Sequence, residues 1–255
     1  MGASALSIPA LAGPGDYRWE AGLSYERRTF DKIVFAGIPG FQPPDNAIWR
    51  ASGRYYFQDV KTDDVPLAEA AYVGRNSSVT LAWSRFDADF GELDSEELAF
   101  GLYVPKSMFY FAGGIARFET AAFISPSSVI EGHDTDWYGV AGIAPIDGLR
   151  ITTFYVHDIG YDPNVSVKYV GRLGGSHFYG FGLQAVEPDE GDLSISGDVD
   201  FFFDATLSIG VGYDERGDQW SLRAEKFFTP RLGVQTAYFD VDGGEGFRVQ
   251  GTWRF

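Results

Sequence analysis

The feature that most constrains this chain is an alternation of large apolar residues with charged or small ones, repeated along its length. In the C-terminal segment Phe247, Val249, Gly251, Trp253 and Phe255 alternate with Arg248, Gln250, Thr252 and Arg254. Near the start, Tyr17, Trp19, Ala21, Leu23 and Tyr25 alternate with Arg18, Glu20, Gly22, Ser24, Glu26 and Arg28. A period of two puts successive side chains on opposite faces of a β-strand. Each such strand therefore needs an apolar medium on one side and water on the other.

Two solutions satisfy that need. A soluble sheet would bury Trp19, Trp49, Trp83, Trp220 and Trp253 in a core and turn its charges outward. A membrane barrel would face them to lipid and enclose water within. Strand number favours the second. The alternation and the turn-forming residues between its stretches place strands near 17–28, 47–58, 78–86, 97–104, 108–118, 136–144, 149–157, 164–173, 177–186, 193–203, 206–213, 219–228, 231–239 and 247–255. Fourteen strands enclose more space than side chains fill, since about eight already suffice. A sheet edge finds no hydrogen-bond partner in lipid, so the sheet must close, and with both termini at one end the count is even. The expected fold is an all-β, closed antiparallel transmembrane barrel of 14 strands, with 16 as the alternative. Strands 108–118 and 136–144 are apolar on both faces, so their lipid side stays open.

The joints add an independent signal. Three- and four-residue joints such as Pro105–Ser107 and Thr229–Arg231 alternate with longer ones at 87–97, 120–136, 158–163, 187–192, 214–218 and 240–246. Short periplasmic turns and long external loops give a membrane barrel this sorting. The long joints hold more than half of the 36 acidic residues, with Arg216 their one Lys or Arg, so one rim is expected to be anionic. The pairs Asp87/Asp89 and Asp240/Asp242 complete no calcium-loop pattern, and no metal site is assigned.

Composition excludes other classes. Without cysteine there is no disulfide scaffold, thiolate metal site or cysteine nucleophile. A net charge of -16 argues against nucleic acid as a partner. Residues 3–12 are small and apolar and end in Ala10-Leu11-Ala12, which reads as the remnant of a cleaved export signal or as a flexible terminus. Residues 1–15 are therefore set apart from a single barrel domain at 16–255. The segment Asp59–Asn76 is too long for a short turn and is expected to form a hairpin or short helix against the barrel mouth.

The terminal pattern Phe247-x-Val249-x-Gly251-x-Trp253-x-Phe255 resembles the signal by which bacterial outer-membrane barrels are recognised for insertion, with Trp253 and Phe255 as its aromatic anchors. The run Tyr55-Tyr56-Phe57, then Pro66–Tyr72 and Arg75-x-Ser77, is similar to uncharacterised porin-like proteins of Gram-negative bacteria. The resemblance implies an outer-membrane location, contact with lipid and lipopolysaccharide, and passage through the barrel-assembly machinery. It implies no substrate, and homo-oligomerisation is left open.

The candidate lumen-lining residues are Arg18, Glu20, Glu26, Arg28, Arg50, Arg54, Lys168, Arg172, Asp198, Asp200, Arg223, Glu225, Arg248 and Arg254. Closure would set Arg248 and Arg254 beside the first strand, either as a basic track for anionic solutes or as a salt-bridge lattice. Phe30, Ile33, Phe35 and Phe41 form an apolar run in the first long joint, expected to fold into the lumen as a constriction or to pack on a neighbour. The joint at 121–130 carries a second such run. Catalysis has little support, since His133, His157 and His177 stand in no motif, and no cofactor is implied. The function expected from these residues is a passive pore for small hydrophilic solutes; a closed structural or partner-binding barrel is the alternative, with a lipid-modifying enzyme behind it.

Overall fold

The computed structural model describes residues 15–30, 45–88, 91–125, 128–158, 160–187, 193–241 and 243–255. The strands are β1 (Tyr17–Phe30), β2 (Asn46–Val60), β3 (Ser78–Ala88), β4 (Gly91–Tyr103), β5 (Phe109–Ser125), β6 (Ser128–Ile143) and β7 (Leu149–Val156). They continue with β8 (Asn164–Gly174), β9 (His177–Val186), β10 (Ser194–Phe202), β11 (Leu207–Asp214), β12 (Gln219–Thr229), β13 (Leu232–Val241) and β14 (Gly244–Arg254). Each strand pairs antiparallel with its neighbours in sequence, and β14 pairs with β1, so the fourteen strands close a barrel. The expected count and parity hold.

The outer wall follows from the alternation. Leu81 is 64% exposed and Trp220 58%, and Trp19, Leu23, Trp49 and Trp253 are likewise exposed on the outer face. Cross-strand aromatic pairs sit at two levels: Trp19 with Tyr55 at one, Tyr25 with Trp49 and Tyr213 with Trp220 at the other. Beyond the second level the outward positions turn charged. Arg27 bonds Asp45, Arg85 bonds Asp94, and Arg117 bonds Glu119. An apolar band edged by aromatic rings and then by charges is the outer surface of a transmembrane barrel. On the two undetermined strands Phe109, Phe111, Ile115 and Trp137 face outward, while the Tyr138 hydroxyl reaches Glu97 inside.

Three expected long loops are mostly strand, the shortest at 240–246, where β13 and β14 pair as far as Val241 with Gly244. β3 and β4 pair as far as Ala88 with Gly91, and β5 and β6 as far as Ser125 with Ser128. Their ladders extend beyond the apolar band, where both faces meet water and polar residues such as Asp87 and Glu92 fit either side. The apolar run at 121–130 lies mainly on this β5–β6 ladder rather than in a loop.

Among the described residues one small core forms, inside the short-turn mouth. Tyr17, Tyr56, Val60 and Ala70 are buried together, with Val65 and Ala71 against them. Tyr17 enters this core through a bulge: the amides of Arg18 and Trp19 both donate to the Phe255 carbonyl, and the β1–β2 register shifts at the same point. The extra residue breaks the alternation. Tyr17, expected on the lipid side, turns inward, and Arg18, expected in the lumen, is exposed at the rim with its Nε on Asp59.

Candidate functional site

The site is the lumen, and its most distinctive part is the segment between β2 and β3. A 3-10 turn at Leu67–Glu69 runs into a short helix, α1 (Ala70–Val73), and together they reach across the short-turn mouth. This segment has too few residues to be stable alone, so its position depends on the walls it touches. The Leu67 amide donates to the Ala205 carbonyl in the β10–β11 turn, and Arg254 Nη1 on β14 donates to the Leu67 carbonyl at 2.9 Å. Glu69 accepts from Lys168 Nζ on β8 at 2.8 Å. The Tyr72 hydroxyl lies 3.1 Å from the Gly148 carbonyl and 2.6 Å from that of Lys168. Burial pushes the Tyr72 phenol above its ordinary value, so it remains a neutral donor. The segment is thus tied to three separate stretches of wall. Of the hairpin or short helix expected of Asp59–Asn76, the structure has the short helix.

Above it stands the lattice at the seam where β14 meets β1. Glu26 is 1% exposed, with Arg28 Nε at 2.7 Å on one oxygen and Arg50 Nη1 at 2.9 Å on the other. Arg248, its register partner on β14, approaches to 3.9 Å and lies over the Phe239 ring. Lower down, Arg254 pairs with Glu20 at 2.8 Å and sits between the rings of Tyr17 and Phe227. Salt bridges knit this wall, as one of the two readings of the ladder has it.

A second cluster spans three strands a little further round the same wall, past β13. Arg223 on β12 reaches over β11 to β10, where its Nε and Nη2 hold both oxygens of Asp200 and its Nη2 also holds Asp198. Gly210 of β11 lies between them, and a Cβ there would overlap the Asp200 carboxylate and the guanidinium. A glycine at this inward position is therefore what lets the charges meet. Glu225 lies one inward position further along β12, with Gln235 beside it. Arg172 is at the mouth, donating to the carbonyls of Gly175 and Asp64.

Two cavities flank the crossing segment, and Glu69 and Lys168 line both. One, of about 290 Å³, is bordered by Asp198, Asp200, Arg223, Glu225 and Arg248. The other, of about 400 Å³, is bordered by Arg54, Arg150 and Arg254 together with Tyr56, Tyr72, Tyr103, Tyr110 and Tyr138. Sequence reasoning missed Arg150, Tyr103 and Glu97. The alternation Arg150, Thr152, Phe154 against Leu149, Ile151, Tyr155 already held the signal for the first. Glu69 and Tyr72 carried none, because no sequence pattern says which wall a crossing segment will touch. Of the expected constriction, Phe30 ends β1 opposite Gly244, while Ile33, Phe35 and Phe41 lie outside the described residues. Trp253 and Phe255 are exposed on the outer face.

No protein-family model and no curated protein matches the sequence. Solved structures do. The outer membrane protein Omp33 of Acinetobacter baumannii superposes with a TM-score of 0.72 at 19% identity, over 95% of this chain and 100% of that one. A FadL homologue of Pseudomonas aeruginosa gives 0.55 at 11% identity, over 93% and 90%. A deltaS2S3 mutant of the monoaromatic hydrocarbon channel TodX gives 0.51 at 6%, over 96% and 91%. The chain has the fold of a bacterial outer-membrane barrel.

Proposed function

We propose that this protein is a passive outer-membrane channel for small hydrophilic solutes. The observation that carries the reading is the division of the wall: lipid-compatible rings outside, and inside a set of charged side chains that only water or a polar solute would accept. A hydrated lumen spares a solute the cost of shedding its water, and fixed charges then bias which solutes enter. TodX, which shares the fold, is named as a channel. No group in the lumen needs a cofactor for this, and no part of the reading is enzymatic.

The crossing segment at Leu67–Val73 favours a second reading, in which the mouth is held shut and the barrel serves as an anchor or partner-binding element. Purified protein in planar bilayers separates the two. The channel reading expects discrete conductance steps and swelling of proteoliposomes in small sugars. Absence of both, with conductance appearing only when residues 67–73 are replaced by a short glycine linker, would establish the shut barrel instead. The exposed Trp253 and Phe255 support recognition by the assembly machinery, the apolar band supports contact with lipid, and the outward carboxylates beyond it suit lipopolysaccharide through bridging divalent cations. An export signal in residues 1–12 belongs to the same proposal.

A further inference from the structure

The lumen arginines divide into two kinds. Arg28, Arg50, Arg223 and Arg254 each hold a carboxylate. Arg54 and Arg150 hold none among the described residues, and both line the larger cavity. Arg54 faces Glu20 across β1 and β2, yet its Nε donates to Thr80 Oγ1 at 2.9 Å. The Arg150 guanidinium carbon lies 4.5 Å from the Tyr110 ring centre and 5.0 Å from that of Tyr72, and Nη1 donates to the Tyr103 hydroxyl at 3.2 Å. Rings on the faces of a guanidinium fix its plane and leave its in-plane N–H groups as the free edge, the geometry that receives a carboxylate on two parallel bonds.

Charge agrees. Among the described residues around this cavity, Arg54, Arg150, Arg254 and Lys168 stand against Glu20 and Glu69. Across the crossing segment the balance reverses, with Glu69, Asp198, Asp200 and Glu225 against Lys168, Arg223 and Arg248. A protein of net charge -16 thus keeps a locally cationic, tyrosine-walled chamber inside. The aromatic wall suits a flat apolar body, and the volume suits a single-ring molecule.

We propose that this chamber binds small planar organic carboxylates, with Arg150 as the carboxylate ligand and Arg54 as a second cationic contact. The inference rests on the channel reading only for the route by which such an anion arrives. Calorimetric titration of the full chain in detergent with benzoate tests it without measuring transport. Saturable binding is expected, weakened at least about tenfold in both Arg150→Gln and Arg54→Gln, because each loses a charge-assisted bond. Arg85→Gln, on the outer face, should bind as the parent does. Acetate and chloride should bind at least about tenfold more weakly than benzoate. Equal binding of all three anions overturns the planar body and leaves a simple anion site. Undetectable benzoate binding by a folded, conducting barrel overturns the proposal while the channel stands. Binding by a barrel that does not conduct sustains the proposal and removes the channel.

Discussion

Glu26 is a single carboxylate facing three guanidiniums, and the seam depends on it. Its oxygens are satisfied by Arg28 and Arg50, with Arg248 close behind. Neutralising it leaves three like charges at one depth. The arginines are partly open to lumen water, which screens them, so the loss in Glu26→Gln should be about 1–3 kcal/mol rather than the full cost of a buried unpaired ion. A lower melting temperature of the detergent-folded barrel, followed by circular dichroism, checks this. An unchanged melt would show that the arginines find other partners. Arg18 teaches the reverse lesson about single residues. Its position in the alternation pointed inward, and one bulge at Phe255 sends it to the rim.

At the scale of elements, the β10–β11 turn and the crossing segment can be perturbed separately. In the turn, Asp204 accepts from the Thr206 hydroxyl at 2.7 Å, the Thr206 amide at 2.6 Å and the Leu207 amide at 3.0 Å. These bonds, the hydroxyl first, hold its carboxyl below the ordinary aspartate value. A folded value below the unfolded one means that the stabilisation is complete above the unfolded value and is lost as the pH falls through the folded one. After correction for intrinsic rates, hydrogen exchange at the Thr206 and Leu207 amides should be slower at pH 6 than at pH 3. Equal protection would remove Asp204 from the turn's support. For the crossing segment, Tyr72→Phe removes the hydroxyl that meets the Gly148 and Lys168 carbonyls and should loosen α1 by about 1 kcal/mol. Single-channel recordings should then show more frequent or longer openings than in the parent. Identical traces would mean that the segment does not limit the current.

For the whole molecule, the acidic outer rim expected from the long joints would act together with an interior of mixed sign. At about 0.1 M salt the Debye length is roughly 10 Å and the rim field spans the entrance; at about 1 M it is roughly 3 Å and the field is confined to the loops. Reversal potentials should therefore favour cations at the lower concentration and lose most of that preference at the higher. A preference unchanged over this range would place the selectivity at the inner charges instead. The barrel itself was legible because closure in lipid is an all-or-none demand: the alternating segments count fourteen, and turn lengths and parity require an even number. Ladder length was not, since the Asp87–Glu97 stretch reads as a polar loop until one asks which medium lies beyond the bilayer edge. Within the lumen, the charged positions of β10, β12 and β14 were readable from period two alone. The tyrosine chamber was not, because it depends on Tyr72 and Glu69, and their partners on β6–β8 lie far away in sequence.

The latch between Arg254 and the Leu67 carbonyl joins the final strand to a segment made near the beginning. That bond, and the one from the Leu67 amide to the Ala205 carbonyl, need β10, β11 and β14 in place. The peptide between β2 and β3 can therefore be fixed in place only once the last strand has joined the ring. The crossing segment is thus fastened no earlier than the barrel is closed.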